Sequence, residues 1–300
     1  MPQLDYLATA EYATFGLPAS TTDNQVSVAS NIIDAYLQRT EGLLYTADAS
    51  GNPLFMTRKA PESSRTLVAG ILAGAQIQIV LTGGPIVTVG DALVLNRAGT
   101  SAEVCKVESI QDNNHVTLLS VANAHLANET VEGGMCIEET LSLPKNRSIA
   151  TVSKGPIASV LSVLGRISYT RRGDSMLQMQ EYAMLQAASA FGGAPAWQDV
   201  QISSNDVDKR TNQVWFPVGI LMVPYSEIRI SYLAGFSVPG LPYQVKQATA
   251  NVVAAIAESP ASPNIKSFKA GDSQMTRFLD NVIAADTQNL LAPYMARNYG

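Results

Sequence analysis

The sequence predicts an α+β fold. A helical bundle core is formed by N- and C-terminal helices, and the central segments are β-rich and include an inserted small β-barrel or sandwich. Three observations carry this reading. Apolar residues recur at helical spacing near both chain ends: Val26, Ala29, Ile33, Tyr36 and Leu37 in one run, Val245, Ala248, Val252 and Ile256 in another. Between about 65 and 142 the grammar changes to short alternating runs such as Gln76-Ile-Gln-Ile-Val-Leu81. Those runs are punctuated by Gly83-Gly84, Gly90-Asp91, Asp112-Asn113-Asn114 and Gly133-Gly134, the turn residues of a compact β-module.

Each element has a local reason. Tyr6–Phe15 reads as a short helix stopped by Gly16 and Pro18. Thr21-Thr22-Asp23 offers caps for the next helix, which closes at Gly42. Pro53–Thr57 reads as a strand. The β-module then takes Ile86–Val89, Ala92–Leu95, Ala102–Val107, His115–Leu119 and Met135–Glu138 as strands. Beyond it, Asn146–Val152 and Lys154–Tyr169 continue as β-structure, with Pro156 tolerated at a strand start. Met176–Phe191 has helical composition, and Trp215–Pro224 and Ser226–Leu233 are again strands. Pro242 suits the first turn of a C-terminal helix, Pro260 and Pro263 end it, and Asp280–Asn289 is the body of a last helix stopped by Pro293. The resulting division is a core of 1–60 and 145–300 with an inserted β-domain at 65–142.

Composition narrows the function. The chain is 46% hydrophobic but only 15% charged, against about 25% charged in an ordinary domain. That suits a subunit that buries faces against neighbours, or simply a weakly charged soluble protein. A net charge of -5 argues against a general nucleic-acid binder. The N-terminus Met1-Pro-Gln-Leu-Asp5 lacks the basic region and apolar run of a signal peptide, and no stretch has the continuous apolar length of a membrane helix. Cys105 and Cys136 read as small buried apolar residues, with a bridge open only if their strands are adjacent.

No catalytic pattern appears. His115 and His125 have no metal-ligand spacing. Neither a nucleophile elbow nor a phosphate-binding glycine loop occurs. Asp206-Val-Asp208 faintly resembles a calcium loop but reads better as a turn. No catalytic residue, metal ligand or cofactor is therefore assigned. Arg166, Arg171 and Arg172, near Tyr169, form the densest basic group. They suit nucleic-acid contact in a channel or, preferred here, acidic residues of a neighbouring subunit. Trp197 and Trp215 are core anchors by default. The terminal Pro293–Gly300 segment is either a frayed tail or a peptide-like plug rich in tyrosine and arginine.

Several pieces, in order, resemble the head–tail connector (adaptor, or head completion) proteins of long-tailed bacteriophages. They are Ala29–Arg39, Gly155–Val163, Asp206-Val-Asp208, Ile228–Phe236, Pro242–Ala248 and Leu290-Leu-Ala-Pro-Tyr294. The resemblance covers 1–60 and 145–300. It implies a non-enzymatic virion protein that forms a dodecameric ring under the portal, prolongs the DNA channel and receives a tail or neck protein. DNA would pass without sequence-specific binding, and no membrane or cofactor is involved. Synthesis would be in the bacterial cytoplasm and the destination the virion neck. Family tails dock on the portal, which implicates Leu291, Pro293, Tyr294, Arg297 and Tyr299. Compact family members lack the β-insert, and Ala261-Ser-Pro-Asn264 replaces a more charged loop. The alternative is a binding module whose β-domain grips a partner protein or glycan. Residues 76–137 contain no Trp, Tyr or Phe, which counts against glycan stacking.

Overall fold

A computed structural model describes residues 4–83, 87–112, 114–143, 148–166, 197–216, 225–257, 267–270, 273–276 and 283–297. Within them run three α-helices: α1 (Asp23–Tyr36), α2 (Tyr243–Ala257) and α3 (Ala285–Leu291). The strands are β1 (Leu44–Ala47), β2 (Pro53–Met56), β3 (Ser63–Thr66), β4 (Gly74–Val80), β5 (Ala92–Leu95), β6 (Glu103–Ile110), β7 (His115–Val121), β8 (Thr130–Gly133) and β9 (Ile137–Ser142). They continue as β10 (Ile149–Thr151), β11 (Ile157–Arg166), β12 (Gln198–Asp199), β13 (Val207–Asp208), β14 (Gln213–Trp215), β15 (Glu227–Ala234), β16 (Phe236–Ser237), β17 (Ser267–Ala270) and β18 (Ser273–Thr276).

This corrects the expected fold class. Among the described residues the protein is mostly β-sheet, and the helices are few and short, with 14, 15 and 7 residues. The terminal helices are not a bundle core. They form one apolar layer, while two other apolar cores, around Ile230 and around Leu118, are built by strands. The physical reason is that a helical stripe records only that one face is buried, not what covers it.

Helix α1 starts at a reciprocal cap: Gln25 N–H donates to Thr22 Oγ1 at 3.4 Å, and Thr22 N–H donates to Gln25 Oε1 at 2.8 Å. Val26, Ala29, Ile33 and Leu37 are fully buried and meet Val245, Ala248 and Val252 of α2. The segment before α1 is not a helix but two 3-10 turns, Thr9–Glu11 and Ala13–Phe15. Tyr6, drawn into the core, donates its hydroxyl to Asp34 and accepts from Leu43 N–H at 2.9 Å.

The strands from β3 to β8 form one six-stranded antiparallel sheet in the order β3-β8-β5-β6-β7-β4. Its two outer strands meet. Leu67 bridges Leu81, Val68 N–H donates to Val80 O at 2.9 Å, and Thr82 N–H donates to Thr66 O at 3.0 Å. The sheet is thus closed into a barrel, which removes its free edges. Leu67, Ile79, Leu93, Val107, Val116 and Leu118 fill the interior. The Ile86–Val89 reading fails for its described part: residues 87–89 lie outside any strand, and Thr88 Oγ1 donates to Asp91 at 2.8 Å to shape a turn before Gly90. The barrel ends at Gly133, because β9 pairs with β15 in the next sheet.

That next sheet is antiparallel, in the order β12-β11-β15-β9, with β11 and β15 as its long central pair. Two three-stranded sheets, β16-β1-β2 and β10-β14-β13, flank it, and β17 pairs with β18. The parallel β1–β16 pairing ties the helical layer to the end of β15. The helix read at Met176–Phe191 and the strand residues 217–224 lie outside the described residues. No helix among the described residues is long and apolar enough to cross a membrane.

Candidate functional site: the seat of the C-terminal segment

After α3, Ala292–Tyr294 forms a 3-10 turn with Pro293 near its start. Leu291 is fully buried in the helical layer. It anchors the segment from inside. The Tyr294 ring packs edge-on against Phe236, with centroids 5.8 Å apart. Burial pushes the Tyr294 phenol above its ordinary pKa. The backbone then crosses the molecule's surface. Ala296 N–H donates to Leu37 O at 3.1 Å, and Arg297 N–H donates to Ser153 O at 2.8 Å. Pro293, Met295 and Arg297 remain exposed on this pinned backbone. Tyr299 lies outside the described residues.

The loop that receives Arg297 is itself held by charge. Ser153 N–H and Oγ donate to Glu139 at 3.0 and 2.5 Å, and Tyr232 donates to the same carboxylate at 2.5 Å. Lys154 Nζ contacts both Glu41 oxygens at 2.7 and 2.9 Å. Arg39, buried beneath, donates from Nη1 to Gly155 O at 2.6 Å. Burial lowers its pKa, and its Nε and Nη2 find no hydrogen-bond partner among the described residues. A buried guanidinium with unmet donors makes this junction sensitive to any loosening.

Of the basic group, Arg166 is engaged within the chain. Its Nε donates to Glu227 at 2.7 Å, and its guanidinium lies 4.6 Å from the centroid of Trp197. Arg229 approaches the same ring at 5.7 Å and also donates to Thr88 Oγ1 at 3.0 Å, so this cluster joins the sheet to the barrel. Arg171 and Arg172 lie outside the described residues. Trp197 is thus a cation-stacking ring, and Trp215, expected in a core, is 50% exposed on β14.

The other candidates resolve into local structure. Asp206 accepts from Ser203 N–H at 2.8 Å, and Asp208 accepts from Thr211 Oγ1 at 2.7 Å, so both cap turns. His115 bonds Asp112 at 2.8 Å on the surface. His125 is a packing histidine, the reading preferred from sequence over a metal ligand: it is buried, with Nε2 2.8 Å from Glu103 and Nδ1 2.7 Å from Glu129. No group of metal-holding side chains occurs among the described residues. Sequence reasoning missed the buried Tyr6–Asp34–Arg58 network. Its one signal was a carboxylate at position 34, inside the apolar stripe of α1.

The chain finds no match among protein-family models, curated proteins or solved structures.

Proposed function

We propose that this chain is a structural subunit of a bacteriophage neck, assembling into a ring between the portal and a tail or neck protein. The single observation behind the reading is the pinned C-terminal segment. Its backbone is fixed at Leu37 and Ser153, and it turns Pro293, Met295 and Arg297 outward. A prealigned segment binds a partner with less ordering cost than a free tail. The ordered resemblance over 1–60 and 145–300 supplies the class of partner. In this reading the subunit is non-enzymatic, the ring is dodecameric, and DNA passes through it unread.

The test is the native mass and symmetry of purified protein with and without portal-bearing capsids. A ring that binds portal supports the reading. A chain that stays monomeric and never binds such capsids sinks it. Arg297→Glu should weaken capsid attachment; unchanged attachment removes the segment from the contact.

A second reading has its own observation. At one end of the barrel, Ile71 and His125 exchange both backbone hydrogen bonds, at 2.9 and 3.0 Å. That register puts Leu72 and Leu126, 77% and 74% exposed, on one face. In this reading the barrel is a binding module for a partner protein. Loss of partner binding in Leu72→Ser/Leu126→Ser, with ring formation intact, would favour it.

A further inference from the structure

We propose that the flank of β11 opposite β15 is a strand-addition site for an extended, acidic segment of a partner protein. The proposal rests on this sheet edge and is independent of the neck reading. Strand β11 pairs with β15 from Ile157 to Arg166, with register shifts between Ile157 and Ser159 and between Val160 and Ser162. On its other flank β12 covers only Leu164 and Gly165, and Val200 N–H adds one further bond to Val163 O at 2.9 Å. From there the Val200–Ser204 segment runs opposite β11 across a cleft of about 320 Å³. Among the described residues, no strand pairs with Ala158–Ser162 on this side. That open stretch is about 16 Å long at the rise of a strand. An unpaired edge offers main-chain donors and acceptors to a peptide, and the two register shifts in β11 confine the added ladder to a few bonds.

The walls define what fits. Ser162 is 5% exposed, and its Oγ is buried with no hydrogen-bond partner among the described residues. A buried hydroxyl left unmet favours a polar backbone beside it. Leu119 of the barrel and Ile202 of the opposite wall supply apolar surface for alternate side chains. The ionised residues lining the cleft are Lys106 and Lys209, with no carboxylate among them. Lys106 is held by Asp199 outside the lining. The carboxylates nearest Lys209 in sequence are occupied: Asp206 caps Ser203, and Asp208 caps Arg210 N–H at 2.9 Å. The exposed Lys209 ammonium therefore has no carboxylate partner among the described residues, and it selects an acidic side chain on the added strand.

The probe is a labelled short peptide of alternating Val and Glu, followed by fluorescence anisotropy on the full chain. Its Val–Lys counterpart and two N-methylated versions, one for each backbone register, are the controls. Saturable binding of the acidic peptide is expected, weakening as salt rises. N-methylation in one register should reduce affinity by about tenfold or more, because it removes the main-chain donors. Lys209→Glu, an exposed change whose folding is checked by its melting curve, should reduce it by about tenfold. Equal binding of acidic and basic peptides, indifference to N-methylation in both registers, or no binding by any peptide would each overturn the proposal. So would self-association that acidic peptide does not compete away, since a second copy would then fill the cleft.

Discussion

Arg58 donates from Nε to Asp34 Oδ2 at 2.7 Å, with the Arg58 side chain fully buried and that of Asp34 8% exposed. The same guanidinium also bonds Leu4 O at 2.8 Å, Asp5 at 3.0 Å and Asn31 at 2.7 Å, and it lies 4.9 Å from the centroid of the Tyr6 ring. This one cation ties the N-terminal segment, α1 and the chain beyond β2 together. Burial pushes the Tyr6 phenol well above its ordinary pKa, and Asp34 pushes it the same way. Asp34→Ala should destabilise the protein by about 1–3 kcal/mol, because the Arg58 Nε and the Tyr6 hydroxyl lose their buried acceptor while Asp5 still pairs the guanidinium. Replacing both partners, Asp34→Leu with Arg58→Met, should recover much of that loss. Urea unfolding of the two variants checks both statements. An Asp34→Ala loss under about 1 kcal/mol would mean that solvent reaches the guanidinium.

Gly235 joins β15 to β16 at φ +116, where a side chain is strained, and an added Cβ would lie 2.1 Å from Leu43 O. That oxygen accepts Phe236 N–H at 2.8 Å in the link between the sheet and the helical layer. Gly235→Ala is expected to cost at least about 2 kcal/mol, strain and clash together. Gly51→Ala, also at positive φ (+86) but with open space around its Cβ, should cost less. Thermal melts of the pair distinguish a clash from strain alone.

Acid should loosen the seat of the C-terminal segment. Burial pushes the Glu41 carboxyl up, but its hydrogen bonds to Lys154 more than offset this, so its pKa lies below the ordinary range. Glu11 is lowered in the same way by Lys246 of α2. A depressed carboxylate contributes stability above its unfolded pKa and loses it as pH falls through the folded one. The melting temperature should therefore fall below about pH 4, the ordinary carboxylate range. Glu41→Gln should show a shallower fall, and an unchanged slope would separate Glu41 from the acid transition.

Both thiols should be inert in the folded protein. Burial pushes Cys136 up to about 11, and Cys105 is pushed up by burial and by Glu103. They lie in separate cores, Cys136 with the sheet and Cys105 inside the barrel, so no bridge joins them. A thiolate is the reactive form, so a thiol reagent at pH 8 should label the native chain slowly. Both sites should label rapidly in denaturant. Fast labelling of Cys105 in the native chain would show that the barrel opens readily.

The candidate site was legible in part. Pro293 and the aromatic Tyr294 marked the segment, and its turn is a local consequence of proline. That Leu291 faces inward while Arg297 is pinned at Ser153 was not legible, because both depend on residues far away in sequence. The cleft beside β11 left no sequence signal, since an unpaired strand flank reads like a paired one.

By itself the sequence determined what short-range physics controls. The Thr22 cap and the 3.6-residue stripe start and orient α1, and Pro242 admits the first turn of α2. Alternation and Gly-Asp turns mark strands from β4 to β7. Tertiary structure alone decided how these faces combine. It closed β3 on β4 through Leu67 and Leu81, and it moved β9 out of the barrel to pair with β15. It also made the terminal helices one apolar core beside others built by strands, rather than a bundle core for the whole protein. Periodicity encodes that a face is buried. The partner that buries it is chosen by long-range packing and by backbone groups that must find hydrogen bonds.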